Sequence, residues 1–350
     1  MTEQGEAQPA GRGAAEGAPS RAGTEIPRAE RGPASTRVAV LGPGRIGRQI
    51  ALAFALGGCP VVVLDLKPRP AGEAVAVFED CCREIERDLR LMTEEEVVSA
   101  GDAAAALDRI RTSIAVEEVA DCGFVQEALP EVIELKREVF RSLSGRLAPE
   151  AVIASTSSTI SPSHLVEAVT GADRFLVVHW LNPAHIIPLV EVVPSPKTSE
   201  AAVARTLALL DGLGKVPVRC GDSPGFIGPR MQVLLMNEAA RLVEEGVATA
   251  EDVDRAFKAG MGFRYASVGI FEFIDWGGVD VLYRASRYMA NALGDPRFLP
   301  ARSVEEKMER NELGPKTGRG FFDYAGEGRE RFETEKVRAL LRQLRRQREA

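Results

Sequence analysis

His179 and Glu191 are the two residues in this chain whose types and spacing best suit proton transfer. One apolar run, Phe175–His179, ends in the histidine. A second, Leu189–Val193, carries the glutamate, and the connection between them is too short for a helix. Such a reversal can bring the two side chains together. A carboxylate beside an imidazole fixes its tautomer and stabilises the imidazolium formed when the ring takes up a proton. Oxidising an alcohol with a nicotinamide needs that kind of acceptor, because the hydroxyl proton must leave as hydride departs. The chain has only three histidines, His164, His179 and His185, so few other imidazoles compete for the role. Spacing alone also admits a satisfied histidine beside a strand-end surface acid.

The hydride partner is signalled elsewhere. The apolar run Val38–Leu41 ends in Gly42-Pro43-Gly44-Arg45-Ile46-Gly47, a helical pattern begins there, and the next apolar run, Val61–Leu64, ends in Asp65. Gly42 permits a tight turn, Gly44 lets the backbone approach a pyrophosphate, and Gly47 allows close helix–strand packing. Arg45 and Ile46 fall at the opening of that helix, whose free N–H groups and partial positive charge suit phosphates. Asp65 would accept hydrogen bonds from the adenosine ribose and repel a 2′-phosphate, which selects NAD over NADP. Lys67 and Arg69, just beyond, weaken that selection.

These residues need a frame. Apolar runs at Val38–Leu41, Val61–Leu64, Gly123–Gln126, Val152–Ala154, Phe175–His179, Leu189–Val193 and Val216–Arg219 read as strands. Helical segments at Arg45–Leu56, near Ala74–Leu91 and at Val132–Leu143 lie between them. Strand–helix alternation predicts an α/β fold with a Rossmann-type, doubly wound, mostly parallel sheet. The short link before Leu189–Val193 predicts an antiparallel addition at one edge. After Cys220-Gly-Asp-Ser-Pro-Gly225 the pattern turns helical at Phe226–Glu245, Ala250–Ala259, Gly278–Leu293 and Ser303–Glu312, an all-α C-terminal domain. Thr249 with Asp252 resembles a capping box. The expected divisions are a disordered extension at 1–36, a dinucleotide domain at 37–221, a helical domain at 222–327 and a charged tail or helix at 328–350. The extension has almost no large apolar side chain to offset its ordering entropy.

Composition narrows the partners. A net charge of −7 without a basic run argues against a nucleic-acid surface. No apolar stretch approaches a membrane span. The five cysteines show no metal-type spacing and leave an odd count, so reduced thiols, a cytoplasmic location and no metal site are expected. The segment 67–90 mixes arginines with acids like an exposed helical face and places no coenzyme A site.

Over roughly 37–325 the chain resembles the L-3-hydroxyacyl-CoA dehydrogenase family. The matching features are the GPGRIG turn, Glu131 and Lys136 in ALPEVIELK, Ser158 in IASTSSTIS, HWLNP followed by LVEV, DSPGFI, and GPKTGRGFFDY. The resemblance implies an NAD-dependent enzyme acting on a small hydroxyacyl substrate, with a helical domain that forms a homodimer contact. It implies that His179 is the general acid/base, Glu191 its partner and Ser158 a hydrogen-bond partner of the reacting oxygen. Glu131, Lys136 and Lys316 would line the NAD site. Asn182 would brace the turn between the catalytic pair; Trp180 and His185 could line the substrate pocket or simply pack. One departure stands out. Where the family carries an asparagine in its GFIVNR-like motif, this chain has Pro229, which offers neither a side-chain donor nor an N–H. Either another group substitutes, Asn237 two turns further along the helix being the first candidate, or the reaction geometry differs; Arg230 is retained and could contact the substrate instead. The HIIP run after Asn182 resembles relatives that oxidise carboxylated alcohols that are not thioesters. Two further readings therefore stay open: the same chemistry on a non-CoA hydroxy-carboxylate or carrier-protein-bound unit, and an NAD-binding structural protein without catalysis.

Overall fold

The computed structural model describes residues 36–326 and 328–349, so the expected N-terminal extension falls almost wholly outside the described residues. Eight strands form one sheet in the order β3-β2-β1-β4-β5-β6-β7-β8. They are β1 (Val38–Leu41), β2 (Val61–Leu64), β3 (Ile110–Ser113), β4 (Phe124–Glu127), β5 (Val152–Ser155), β6 (Phe175–Trp180), β7 (Leu189–Pro194) and β8 (Val216–Arg219). The first six run parallel; β7 is antiparallel to β6, and β8 runs parallel to β7. The expected doubly wound sheet with an antiparallel edge addition is therefore present.

Helices cover both faces. They are α1 (Arg45–Leu56), α2 (Ala71–Glu94), α3 (Ala100–Asp108), α4 (Ile133–Leu143), the one-turn α5 (Pro162–Leu165) and α6 (Glu200–Gly212). Alternate residues of β1 enter opposite cores: Val38 and Val40 pack with α1 and α2, whereas Ala39 and Leu41 pack with α4 and α5. A strand buried on both faces reads as an unbroken apolar run, which is why β1, β2 and β5 are conspicuous in the sequence. The edge strand β3, Ile-Arg-Thr-Ser, is only partly buried and carries no such signal. It escapes the sequence reading together with the alanine-rich α3 that precedes it.

The described chain divides into two compact units, one running to Asn237 and the other from Glu238. Helix α7 (Gly228–Glu244) spans that division. The second unit holds α8 (Ala250–Ala256), α9 (Phe263–Tyr265), α10 (Ile270–Gly277), α11 (Val279–Leu293), α12 (Arg302–Glu309) and α13 (Gly328–Glu349). Thr249 caps α8 by accepting from the Asp252 N–H. The helix α10 is absent from the sequence reading: at eight residues, with only Glu272 and Asp275 to mark a polar side, it gives a short periodic signal. Its buried Asp275 accepts from the amides of Phe321 and Phe322 and from the Tyr324 hydroxyl, each at 2.9 Å. These bonds tie residues 314–324 to α10. Tyr324 in turn stacks edge-on with Phe332 of α13. Among the described residues no helix is long and apolar enough to cross a membrane, and no cluster of metal-ligating side chains occurs.

Candidate active site

Three groups of residues collect at the ends of β1, β2, β4, β5 and β6. The first is the glycine turn. Gly42 holds φ +111°, a left-handed conformation that strains any residue with a Cβ. A Cβ on Gly47 would lie 2.0 Å from the Gly42 carbonyl oxygen, so only glycine lets α1 start this close to β1. Beside Gly44, by contrast, the space is open. Arg45 is exposed and Ile46 half-buried in the first turn of α1, where amides have no partner within the helix. Asp65 at the end of β2 is nearly buried. Its carboxylate accepts from the Lys67 amide at 3.2 Å and pairs with Arg69 Nε at 2.6 Å. The open backbone, the free helix terminus and the acid fit a dinucleotide. The Arg69 pairing partly neutralises Asp65, the weakening anticipated from the sequence.

The second group lies at the ends of β4 and β5. Glu127 is fully buried. Its oxygens accept from Lys136 Nζ and the Leu129 amide at 2.6 Å and from the Ser155 hydroxyl at 2.5 Å. The Lys136 ammonium, itself fully buried, also reaches Glu131 at 3.3 Å and the Leu129 carbonyl at 3.2 Å. Glu131 is held from the other side by Ser157 and by the Thr159 amide and hydroxyl. Burial works to raise its pKa, but these hydrogen bonds and the Lys136 charge outweigh it and hold the carboxyl below the usual range. The Lys136 ammonium is therefore enclosed between Glu127 and Glu131. Ser158 is half-buried in the same turn, and the hydroxyls on Glu131 are those of its neighbours. Glu127 and Ser157 were missed: a glutamate closing an apolar strand reads as a solvated end unless its lysine partner is known.

The third group is the catalytic candidate. The antiparallel register places His179 directly opposite Glu191. His179 Nδ1 lies 2.7 Å from Glu191 Oε2, with the histidine buried and the glutamate wholly enclosed. Glu191 Oε1 accepts from the amides of Ile227 and Gly228 at 2.8 and 2.7 Å. The carboxylate therefore also caps the N-terminus of α7, where helix polarity favours negative charge. Burial raises its pKa, but the His179 bond and the two amides prevail, and Glu191 stays ionised below the usual carboxylate range. An ionised carboxylate only accepts, so Nδ1 carries the proton in the neutral ring. Nε2 is left with the lone pair. The buried ring of Phe226 packs against the imidazole at 5.8 Å.

Asn182 is exposed, in a cis peptide with Pro183, within the turn joining β6 and β7. Pro229 falls in the first turn of α7, where the N–H it lacks would have no helical acceptor. Arg230 is exposed one residue further on. Asn237 is exposed on the same helix. It lies about 12 Å along the helix axis from Pro229, and its amide donates to the Val233 carbonyl of its own helix at 2.8 Å. Lys316 belongs to the second unit, where its ammonium pairs with Asp280. Trp180 packs in the first core and donates to Gln126 Oε1 at 3.1 Å.

A mostly parallel sheet with a dinucleotide turn, and an imidazole–carboxylate pair across two of its strands, fits a nicotinamide-dependent oxidoreductase. Comparison with known proteins gives the family. Residues 37–223 match the 3-hydroxyacyl-CoA dehydrogenase NAD-binding domain, and residues 225–324 match the C-terminal domain of the same enzymes. A 3-hydroxybutyryl-CoA dehydrogenase from Bradyrhizobium diazoefficiens is 32% identical over 290 residues, 83% of this chain and 96% of the relative. A 5-formyl-3-hydroxy-2-methylpyridine 4-carboxylate 5-dehydrogenase from Mesorhizobium japonicum is 31% identical over 308 residues, 87% of this chain and 96% of that one. The crystal structure of a 3-hydroxyacyl-CoA dehydrogenase from Archaeoglobus fulgidus superposes with a TM-score of 0.70 at 33% identity, covering 89% of this chain and 98% of that one. The chain belongs to the 3-hydroxyacyl-CoA dehydrogenase family and is an NAD-dependent oxidoreductase acting on CH–OH groups.

Proposed function

We propose that the enzyme oxidises the hydroxyl of an L-3-hydroxyacyl-CoA, or reduces the matching 3-oxoacyl-CoA, with His179 as general base or acid. The observation that carries this reading is the 2.7 Å bond between Nδ1 and a buried carboxylate whose other oxygen is held by two backbone amides. In the oxidative direction Nε2 takes the hydroxyl proton, and Glu191 offsets the charge that then appears on the ring. NAD, when bound, accepts the hydride. Ser158 hydrogen-bonds the reacting oxygen. Glu131, oriented by Lys136 and Ser157, is assigned to the cofactor, and Lys316 is assigned to it by the family resemblance. The amides at the start of α1 hold the pyrophosphate and Asp65 the ribose. Asn182 and Arg230 are assigned to the substrate side. We assign a homodimer built through the helical domain, 222–327, and a cytoplasmic location in which the five free cysteines stay reduced.

The Mesorhizobium relative gives weight to a second reading, in which the same residues act on a carboxylated alcohol that is not a thioester. A panel of CoA esters and free hydroxy acids, followed by NADH absorbance, separates the two. NADH formation from 3-hydroxybutyryl-CoA supports the first reading. No signal from any CoA ester at millimolar concentration, with turnover of a free hydroxy-carboxylate, overturns it in favour of the second. The intact His179–Glu191 pair argues against a purely structural role.

A further inference from the structure

Lys215, immediately before β8, takes no part in the chemistry assigned above, yet it is a nearly buried cation. Among the described residues no carboxylate pairs with it. Its Nζ instead donates to three backbone carbonyls, those of Ala184 at 2.7 Å, His185 at 3.2 Å and Ile187 at 3.0 Å. All three belong to the turn that joins His179 to Glu191. The same turn is also held by α1, where Gln49 accepts from the Ala184 amide at 3.0 Å.

Packing anchors this turn at Ala184, wholly buried in the first core, and at the enclosed His185 side chain, but less beyond them. Ile186 is 58% exposed. A cavity of about 270 Å³, lined by Ala53, Leu56, His185, Ile186, Leu213 and Lys215 among others, lies beside it. Where the turn leaves the core, hydrogen bonds help set the path of the backbone: those of Lys215 and those of the Ile186 and Ile187 amides to the Pro183 carbonyl. A buried charge without a counter-ion persists only if it is well solvated by the protein, and here three carbonyl dipoles of one turn supply that solvation.

We propose that Lys215 is a positioning residue for the catalytic pair: its ammonium gathers the 184–187 carbonyls and thereby sets the angle at which His179 meets Glu191 and substrate. The proposal rests on His179 being the acid/base.

Charge matters to this clamp. An ammonium has three N–H donors and a neutral amine two, so deprotonation leaves one of the three carbonyls without its donor. Burial brings the Lys215 pKa down to about 8. The groups around it are few. His185 on the turn is held below its usual pKa by burial, with Asp88 of α2 at 3.8 Å opposing that effect and the charge of Lys215 adding to it. The Trp180 ring of β6 lies 5.7 Å from Nζ, and α1 and the segment after α6 contribute only apolar side chains to the cavity. Global stability should not follow the same curve. The folded pKa lies below the unfolded one, so the unfolded chain binds more protons between pH 8 and the ordinary lysine range, and stability rises with pH across that window. The clamp therefore predicts turnover that falls above about pH 8 while stability does not.

The test compares full-length wild type, Lys215→Met and Lys215→Arg for kcat, NAD affinity, thermal midpoint and the pH profile of kcat, with His179→Gln in parallel. Lys215→Met should lower kcat by about a hundredfold, the cost of misplacing a catalytic group, with NAD affinity retained. Lys215→Arg, always charged, should restore much of kcat and move the alkaline limb to higher pH. Wild-type kcat in Lys215→Met, or an unshifted alkaline limb in Lys215→Arg, overturns the clamp. If Lys215→Met does not fold, the Lys215→Arg profile decides alone by the same criterion. An active His179→Gln overturns the proton-transfer reading and this inference with it, whereas an inactive one beside a fully active Lys215→Met overturns the clamp only.

Discussion

Both oxygens of Glu191 are committed before any substrate arrives, one to His179 and one to two amides of α7. This is the residue-scale reason the carboxylate stays ionised and the imidazole keeps a single tautomer. Glu191→Gln presents Nδ1 with an amide that can also donate, which allows the opposite tautomer with its proton on Nε2. A loss of about 10²–10⁴ in kcat is expected, the range for removing general acid–base assistance. The same variant has an acid-stability signature. The folded pKa of Glu191 is lowered, so its contribution to stability is present above the ordinary carboxylate pKa and fades as pH falls through the folded value. Thermal midpoints across the acid range should therefore fall less steeply in the variant; parallel curves would contradict the assignment. This pair was legible in the sequence because both residues end or interrupt apolar runs.

At the scale of elements, two helix termini and one buried ion pair organise the site. The α7 terminus is completed by Glu191, a side chain from another element, and Pro229 costs this helix no hydrogen bond. The Glu127–Lys136 pair fixes the segment between β4 and α4 that carries Glu131. Removing one member leaves an uncompensated buried charge, so Lys136→Met should cost about 3–5 kcal/mol in urea unfolding. NAD affinity should weaken with it, because Glu131 loses its support. Unchanged stability would show that the pair is not enclosed as described. This network could not be read in advance: Glu127 and Lys136 are nine positions apart and look like solvated charges until the fold closes over them. The edge strand β3 was hidden for the opposite reason, since its exposure removes the apolar signal.

On the scale of the whole molecule, the order of motifs carries more than any one of them. The glycine turn, the acid after β2 and the sheet-to-helix change after Cys220 were enough to anticipate the doubly wound sheet and the helical second part. The family comparison then supplies the nicotinamide chemistry. What unites these levels is one claim, that His179, held by Glu191, exchanges the hydroxyl proton while NAD exchanges the hydride. The most direct test is His179→Gln, with NAD binding by calorimetry and turnover by NADH absorbance on one preparation. NAD affinity close to wild type with kcat reduced by about 10²–10⁴ is the predicted result. Full turnover in that variant would contradict the claim.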